Sequence, residues 1–174
     1  MKYLNNRRNW LTRITACVVL FFVILSTAEV KAALPALKKG DVLLTRNAVF
    51  NIVPGYWNHS AIYDGNGNVI EAQVTGQNVV KKTSFTTFTN KYPEIVVYRL
   101  NAQYLVPRMV DRANQLVGQP YSLFVGNGGY SCVALVRFSY YYATLAYVQG
   151  GENPSWMIPD NITTDWRFVY IGKK

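Results

Sequence analysis

Histidine and cysteine are almost absent from this chain of 174 residues, which has one His, His59, and two Cys. So few ligating side chains exclude a zinc site built from several Cys and His residues, and a scaffold held by several disulfides. We expect neither a metal nor an organic cofactor. Acidic residues are also scarce, with 9 against 18 Lys and Arg, which gives a formal charge of +9. Half of the residues are hydrophobic, which excludes a disordered chain.

The first 32 residues have the organisation of a secretory signal. Residues 1–13 contain basic residues and no acid, residues 14–28 are uncharged and mostly apolar, and Val30-Lys31-Ala32 supplies small residues for a cleavage site. The apolar run is shorter than the roughly 20 residues that a spanning helix needs. We therefore expect cleavage after Ala32, with retention as an N-terminal anchor as the alternative. The rest, residues 33–174, is predicted to be one domain, exported to the periplasm, the cell envelope or the exterior.

Removal of the signal leaves 13 basic and 8 acidic residues, a net charge of +5 over residues 33–174. This mild excess favours association with an anionic surface such as the cell wall or the membrane periphery. It does not indicate a nucleic-acid partner, because the lysine pairs at 38–39, 81–82 and 173–174 are isolated. We expect a monomer.

The order of the predicted elements indicates an α+β fold with an antiparallel sheet, since several strands precede two helices and one strand closes the chain. The predicted strands span residues 41–45, 60–63, 68–72, 94–100 and 167–171, with a possible further strand at 79–80, and the predicted helices span residues 107–117 and Ser131 or Cys132 to about Tyr147.

A hairpin is predicted where Asp64-Gly65-Asn66-Gly67 separates two short strands. A three-residue loop pairs Ala61 with Glu71 and His59 with Gln73. His59, Glu71 and Gln73 then share one face of the sheet, with Glu71 one diagonal step from His59. A loop of two or four residues would place Glu71 on the opposite face.

Cys132, the one Cys of the predicted domain, follows a glycine-rich loop over residues 126–129 and begins a predicted helix. The N–H groups and the macrodipole of a helix start favour a negative charge, which lowers the pKa of a thiol placed there. Cys132 is therefore a candidate nucleophile. The alternatives are a small buried residue that only fills space and a thiol that pairs with another molecule.

A Cys nucleophile needs a base, and His59 is the one side chain that titrates near neutral pH without perturbation. Glu71 is the first choice to orient the ring, and Gln73 is the second. Tyr56 or Tyr130 could donate a hydrogen bond to an oxyanion or position the substrate. Each has an ordinary alternative, namely a strand-edge His, a solvated carboxylate, or aromatic residues that only pack.

Four motifs, in order and spacing, resemble the YaeF/YiiX group, whose members are circularly permuted relatives of the NlpC-type cell-wall peptidases within the papain-like superfamily. The resemblance extends over roughly residues 38–137. The motifs are Gly40-Asp41-Val42-Leu43-Leu44, Asn58-His59-Ser60-Ala61-Ile62-Tyr63, Val69-Ile70-Glu71-Ala72 and Tyr130-Ser131-Cys132-Val133-Ala134-Leu135-Val136.

The resemblance implies a permuted papain-like (NlpC-like) fold, in which an antiparallel sheet or partial barrel packs against the helix that carries the Cys. It also implies Cys132 as nucleophile, His59 as base and Glu71 as its orienter. The expected activity is thioester-mediated cleavage of an amide, with a cell-wall peptide as the expected substrate. A lipid or acyl-ester hydrolase or acyltransferase is the alternative enzyme, and a non-catalytic envelope-binding module is the alternative of another class.

Overall fold

An antiparallel sheet of six strands lies at the centre of the computed structural model. The predicted signal, residues 1–32, lies outside the described residues, so its removal stays a prediction. The structure describes residues 33–46, 54–74, 76–124, 128–150 and 157–174.

The sheet has the strand order β4-β3-β2-β1-β5-β6, and every neighbouring pair is antiparallel. This order confirms the predicted α+β class with an antiparallel sheet. The strands are β1 (Val42–Thr45), β2 (His59–Tyr63), β3 (Asn68–Ala72), β4 (Val80–Ser84), β5 (Ile95–Leu100) and β6 (Phe168–Lys173).

Both faces of the sheet are covered, because consecutive residues of the central strands point to opposite sides. Leu44 and Ile62 belong to the larger core, which includes buried residues of α2 and α3, whereas Leu43 and Ala61 pack with Phe88 in a smaller core on the other face. The helices are α1 (Phe85–Lys91), α2 (Val106–Gln115), α3 (Cys132–Thr144) and α4 (Asn161–Thr164).

The hairpin of β2 and β3 has the predicted register. Ala61 pairs with Glu71, and the backbone N–H of Asp64 donates to the carbonyl of Asn68 at 2.9 Å. Gly65 and Gly67 supply the positive φ angles of the turn, at 88° and 80°. Glu71 therefore lies on the same face of the sheet as His59.

Three elements were missed or underestimated from the sequence. β4 extends to Ser84 through two lysines, because it is an edge strand whose side chains alternate between the sheet and solvent. α1 contains three β-branched Thr residues, which disfavour a helix, but Ser84 caps it and Phe88 anchors it in the smaller core. α4 is a single turn with no amphipathic period to find.

The ends of the predicted helices and of the last strand differ from those observed. α3 ends at Thr144 rather than Tyr147, because Leu145 has the left-handed φ of 59°. α2 begins one residue earlier than predicted, after a 3-10 turn over Gln103–Leu105, and ends two residues earlier. β6 runs two residues further than predicted, because its edge pairs with β5 as far as Lys173.

An ion pair fastens the segment that enters β1. The buried carboxylate of Asp41 accepts from Nε and from a terminal nitrogen of Arg99 on β5, both at 2.7 Å, and from the backbone N–H of Lys38 at 2.7 Å. Arg99 also donates to the carbonyl of Ala36. Asp41 thus joins the start of the domain to the sheet.

Across the described ranges, we find no helix with the length and apolarity to span a membrane.

Asp41→Ala should lower the free energy of unfolding by about 3 kcal/mol, because it leaves the mostly buried Arg99 guanidinium without its carboxylate. The measurement is the urea midpoint of the intrinsic fluorescence. Lys82→Ala is the control, since Lys82 lies 3.5 Å from Asp64 with nearly half of its side chain exposed, and its loss should cost less than about 1 kcal/mol. Equal midpoints for Asp41→Ala and the unmodified protein would contradict the assignment.

Candidate active site

Cys132 is the first residue of α3, and its side chain is buried against the sheet. Ser131 ends the preceding loop with an extended backbone, and its hydroxyl accepts the backbone N–H of Ala134 at 3.2 Å. This cap starts the helix at the cysteine, as predicted. The backbone N–H of Cys132 has no acceptor within the helix, so it can donate a hydrogen bond to a ligand that binds at the sulfur.

His59, at the start of β2, lies between Cys132 and Glu71. Its Nε2 is 2.7 Å from Oε2 of Glu71, and its ring also makes a hydrogen bond with the Cys132 side chain. Since Nε2 is occupied by the carboxylate, Nδ1 is the nitrogen that faces the sulfur. The structure therefore brings the three residues of the predicted trio together in one hydrogen-bonded line.

The charges of this line stabilise one another. Burial alone lowers the pKa of His59, but the hydrogen bonds and negative charges of Cys132 and Glu71 outweigh it and raise that pKa to about 9. Burial raises the pKa of Cys132, and the hydrogen bond and positive charge of His59 outweigh this, so that the thiol pKa is lowered. Both shifts favour a thiolate on Cys132 beside an imidazolium on His59.

Glu71 is the fully buried end of the line. Burial raises its pKa, but the hydrogen bond and charge of His59, with hydrogen bonds from Thr83 and Gln73, outweigh that effect and lower it. The Thr83 hydroxyl donates to Oε1 at 2.5 Å. Gln73, the second-choice orienter, thus holds Glu71, and within the described residues it makes no hydrogen bond to His59.

Two aromatic side chains cover the His59 ring. Tyr92 stacks on it with 5.2 Å between ring centres, and Phe88 lies 6.3 Å away. Both aromatic residues are buried, which keeps water from the His59–Glu71 hydrogen bond and strengthens it. The short helix that was missed from the sequence carries Phe88, and Tyr92 follows at its end.

Ser60, the next residue of β2, points to the α3 side of the sheet. Its backbone N–H and its hydroxyl contribute to the lowered pKa of Cys132. The buried Ser60 hydroxyl has no hydrogen-bond partner within the described residues, so it is available to donate to the sulfur when Cys132 is a thiolate.

A second segment approaches Cys132 from the loop after α2. The Tyr130 N–H donates to the carbonyl of Pro120 at 2.8 Å, and the Ser122 N–H donates to the carbonyl of Tyr130 at 3.3 Å. A Cβ on Gly129 would meet the Pro120 oxygen at 2.7 Å, so only glycine permits this approach. Of the predicted loop over 126–129, only Gly128 and Gly129 are described.

Tyr121 is held in this segment, and sequence reasoning missed it. Its N–H donates to the carbonyl of Asn78 at 2.8 Å, and its side chain packs against the core that contains Cys132. Burial and the negative charge of Cys132 raise the pKa of Tyr121 to about 12, so its hydroxyl remains a donor. The sequence shows several aromatic residues between positions 121 and 130, but it does not show which of them lies near Cys132.

The two predicted tyrosines, Tyr56 and Tyr130, have different surroundings. The Tyr56 hydroxyl donates to the carboxylate of Glu94 at 2.9 Å, and the Tyr56 N–H donates to Asp160 at 3.0 Å. Tyr130 stacks edge-on with Phe138, at 5.5 Å between ring centres. Tyr56 therefore anchors the segment before His59, while Tyr130 packs at the entrance to α3.

Comparisons with known proteins agree with this architecture. No curated protein matches the chain. The crystal structure of metalloprotein yiiX from Escherichia coli O157:H7 is similar over 79% of this chain and 97% of that one, with a TM-score of 0.63 and 14% sequence identity. At that identity the similarity shows the fold, which is the predicted permuted papain-like one.

The family model described as permuted papain-like amidase enzyme, YaeF/YiiX, C92 family, matches residues 36–150, well over half of the chain. That range includes β1, the β2–β3 hairpin and α3, which are the elements that carry the four sequence motifs. The chain therefore belongs to the YaeF/YiiX family of permuted papain-like amidases.

Proposed function

We propose that this protein is a cysteine hydrolase that cleaves an amide through a thioester, with Cys132 as nucleophile, His59 as proton carrier and Glu71 as the residue that orients His59. The observation that carries the proposal is the buried hydrogen-bonded line of these three side chains. A family of amidases provides the class of reaction.

In the first half of the reaction, the Cys132 thiolate attacks the carbonyl carbon and the carbonyl oxygen becomes an oxyanion. His59 then gives its Nδ1 proton to the leaving nitrogen, the carbon–nitrogen bond breaks, and an amine departs from the thioester. In the second half, neutral His59 takes a proton from water, and the hydroxide attacks the thioester. The acid leaves, and the thiolate and the imidazolium are restored.

The Nε2–H bond to Glu71 serves both halves, because it keeps Nδ1 directed at the sulfur in either protonation state. Thr83 and Gln73 fix the carboxylate in turn. We infer that these two residues position Glu71 and do not touch substrate.

The oxyanion needs hydrogen-bond donors, and two groups are candidates. One is the backbone N–H of Cys132, at the start of α3. The other is the Tyr121 hydroxyl, whose raised pKa keeps its proton beside the negative sulfur. Tyr121 is a better candidate for this role than Tyr56, whose hydroxyl is engaged by Glu94.

The similar solved protein, yiiX, is described as a metalloprotein. Among the described residues of this chain, no group of three or more His, Cys, Asp or Glu is arranged to hold a metal ion. The donor set here does not fit such an ion, and the proposed steps use the side chains alone.

We propose an envelope location and a cell-wall peptide as the substrate, based on the predicted signal and the positive charge of residues 33–174. The partner is then the peptidoglycan peptide and not a nucleic acid. An acylated lipid is the second candidate, because a thioester also forms from an ester and because aromatic rings surround the trio.

The Cys132 thiol should react quickly with iodoacetamide at neutral pH, because His59 lowers its pKa. In His59→Ala the thiol is still buried but has lost the cation, so its alkylation should slow by about tenfold or more. Mass spectrometry of the Cys132 peptide measures the rate apart from Cys17. Lys82→Ala, whose side chain is exposed on the edge strand β4, should react like the unmodified protein, and equal rates for all three proteins would refute the ion pair.

Release of peptides from purified sacculi should be abolished by Cys132→Ala and follow a bell-shaped pH dependence. The acid limb reports the lowered thiol pKa, and the alkaline limb, near pH 9, reports loss of the His59 proton that the leaving nitrogen needs. Liquid chromatography of the products is the measurement. Acid release from acylated lipids in place of sacculi would select the second substrate, and no product from either above the Cys132→Ala background would refute the hydrolase proposal.

Tyr121→Phe should lower kcat by about a hundredfold with little change in KM, because the hydroxyl bonds the oxyanion and not the ground-state carbonyl. Tyr130→Phe is the matched comparison, since Tyr130 is the other candidate donor in this segment and its ring packs on Phe138; this variant should keep its kcat. Iodoacetamide labelling of Cys132 verifies that the site is intact in both variants. Equal kcat values for the two variants would remove Tyr121 from the mechanism.

A further inference from the structure

Large hydrophobic side chains are exposed at the end of the molecule opposite Cys132. Trp166 is 79% exposed, Tyr104 is 81% exposed and Leu145 is 75% exposed. They accompany an exposed tyrosine and two arginines at the same end. We call this surface the aromatic end and define it as Tyr104, Arg108, Arg112, Tyr142, Leu145 and Trp166.

Hydrogen bonds and chain proximity bring the residues of the aromatic end together. The Asn101 side chain donates to the carbonyl of Trp166 at 3.2 Å, and the 3-10 turn that contains Tyr104 begins two residues after Asn101 and leads into α2. Arg108 of α2 donates to the carbonyl of Tyr142 of α3 at 3.5 Å. Leu145 caps α3 three residues later.

The two arginines lie against one aromatic ring. The guanidinium carbons of Arg108 and Arg112 are 5.8 Å and 5.5 Å from the centre of the Tyr142 ring. In the described part of the chain, neither guanidinium pairs with a carboxylate, although Arg112 donates to Gln115. Asp111 on the exposed side of α2 reduces the positive charge of this end but does not reverse it.

We propose that the aromatic end docks on an anionic lipid bilayer. Indole and phenol rings favour the boundary between headgroups and acyl chains, and arginines beside them attract lipid phosphates. A second copy of the chain fits less well, because a symmetric contact would place the arginines of both copies together. The proposal uses nothing from the chemistry assigned to Cys132.

The orientation that follows bears on the substrate. α3 has 13 residues, so its far end lies about 20 Å from Cys132. β5 gives the same direction, since its first residue, Ile95, pairs with Thr45 beside His59 and its last residue, Leu100, pairs with Phe168 near Trp166. Resting on the proposed function, this orientation holds the thiol above the headgroups, towards a cell-wall peptide and away from acyl chains of the same bilayer.

Quenching of Trp166 fluorescence by brominated lipids tests the docking in the full chain. The difference between the unmodified protein and Trp166→Phe isolates this indole from the three other Trp residues. With vesicles of brominated phosphatidylglycerol, about half of the Trp166 emission should be lost, because only an indole at the acyl boundary meets the bromine. With brominated phosphatidylcholine the loss should be small.

Paired charge variants distinguish docking from mere proximity to a vesicle. Arg108→Gln/Arg112→Gln should abolish the quenching, whereas Lys81→Gln/Lys82→Gln on β4 should retain it. Trp166 emission that is insensitive to brominated phosphatidylglycerol in the unmodified protein would overturn the proposal, as would equal quenching in both double variants. So would a dimer in sedimentation without lipid that Tyr104→Ser converts to a monomer, since the occupant would then be a second copy. None of these outcomes depends on hydrolysis, so a failure here leaves the proposed function untouched.

Discussion

A carboxylate with no exposed surface governs the candidate site. Glu71 lies inside the sheet, where an unpaired charge would cost several kcal/mol, so its oxygens must be neutralised by fixed partners. Thr83 takes one oxygen and His59 takes the other. The ring of His59 is thereby held in one orientation, and its second nitrogen can only face Cys132. The reactivity of the Cys132 sulfur is thus a consequence of how the buried Glu71 carboxylate is neutralised by His59.

The register of the sheet places His59 and Glu71 together, and the position of α3 places Cys132 beside them. Neighbouring strands β2 and β3 put His59 and Glu71 on one face, covered by Phe88 and Tyr92. The opposite face packs against α3, whose first residue is the cysteine. His59 lies at the beginning of its strand, so its side chain can reach the sulfur past the end of the sheet. The hydrogen bond between His59 and Cys132 therefore connects the sheet with α3.

Much of this could be predicted from the sequence because the determining signals are local. Glycines in a three-residue turn fix the pairing of Ala61 with Glu71, and a serine before Cys132 fixes where α3 begins. The surroundings of the trio could not be predicted. Tyr121 is brought to the site by backbone hydrogen bonds between its segment and Tyr130, which Gly129 permits. Tyr92 follows α1, whose three threonines are not typical of a helix. Nor could the sequence show that the Tyr56 hydroxyl bonds to Glu94, a residue far away in sequence.

Because the chain has one histidine, an NMR titration of the imidazole reads the central interaction without assignment. The account predicts an imidazolium at neutral pH that loses its proton near pH 9, and a lower titration midpoint in Cys132→Ala, where one of the two negative partners is gone. An imidazole that is already neutral at pH 7 and does not respond to Cys132→Ala would contradict the thiolate–imidazolium pair, and with it the proposed chemistry.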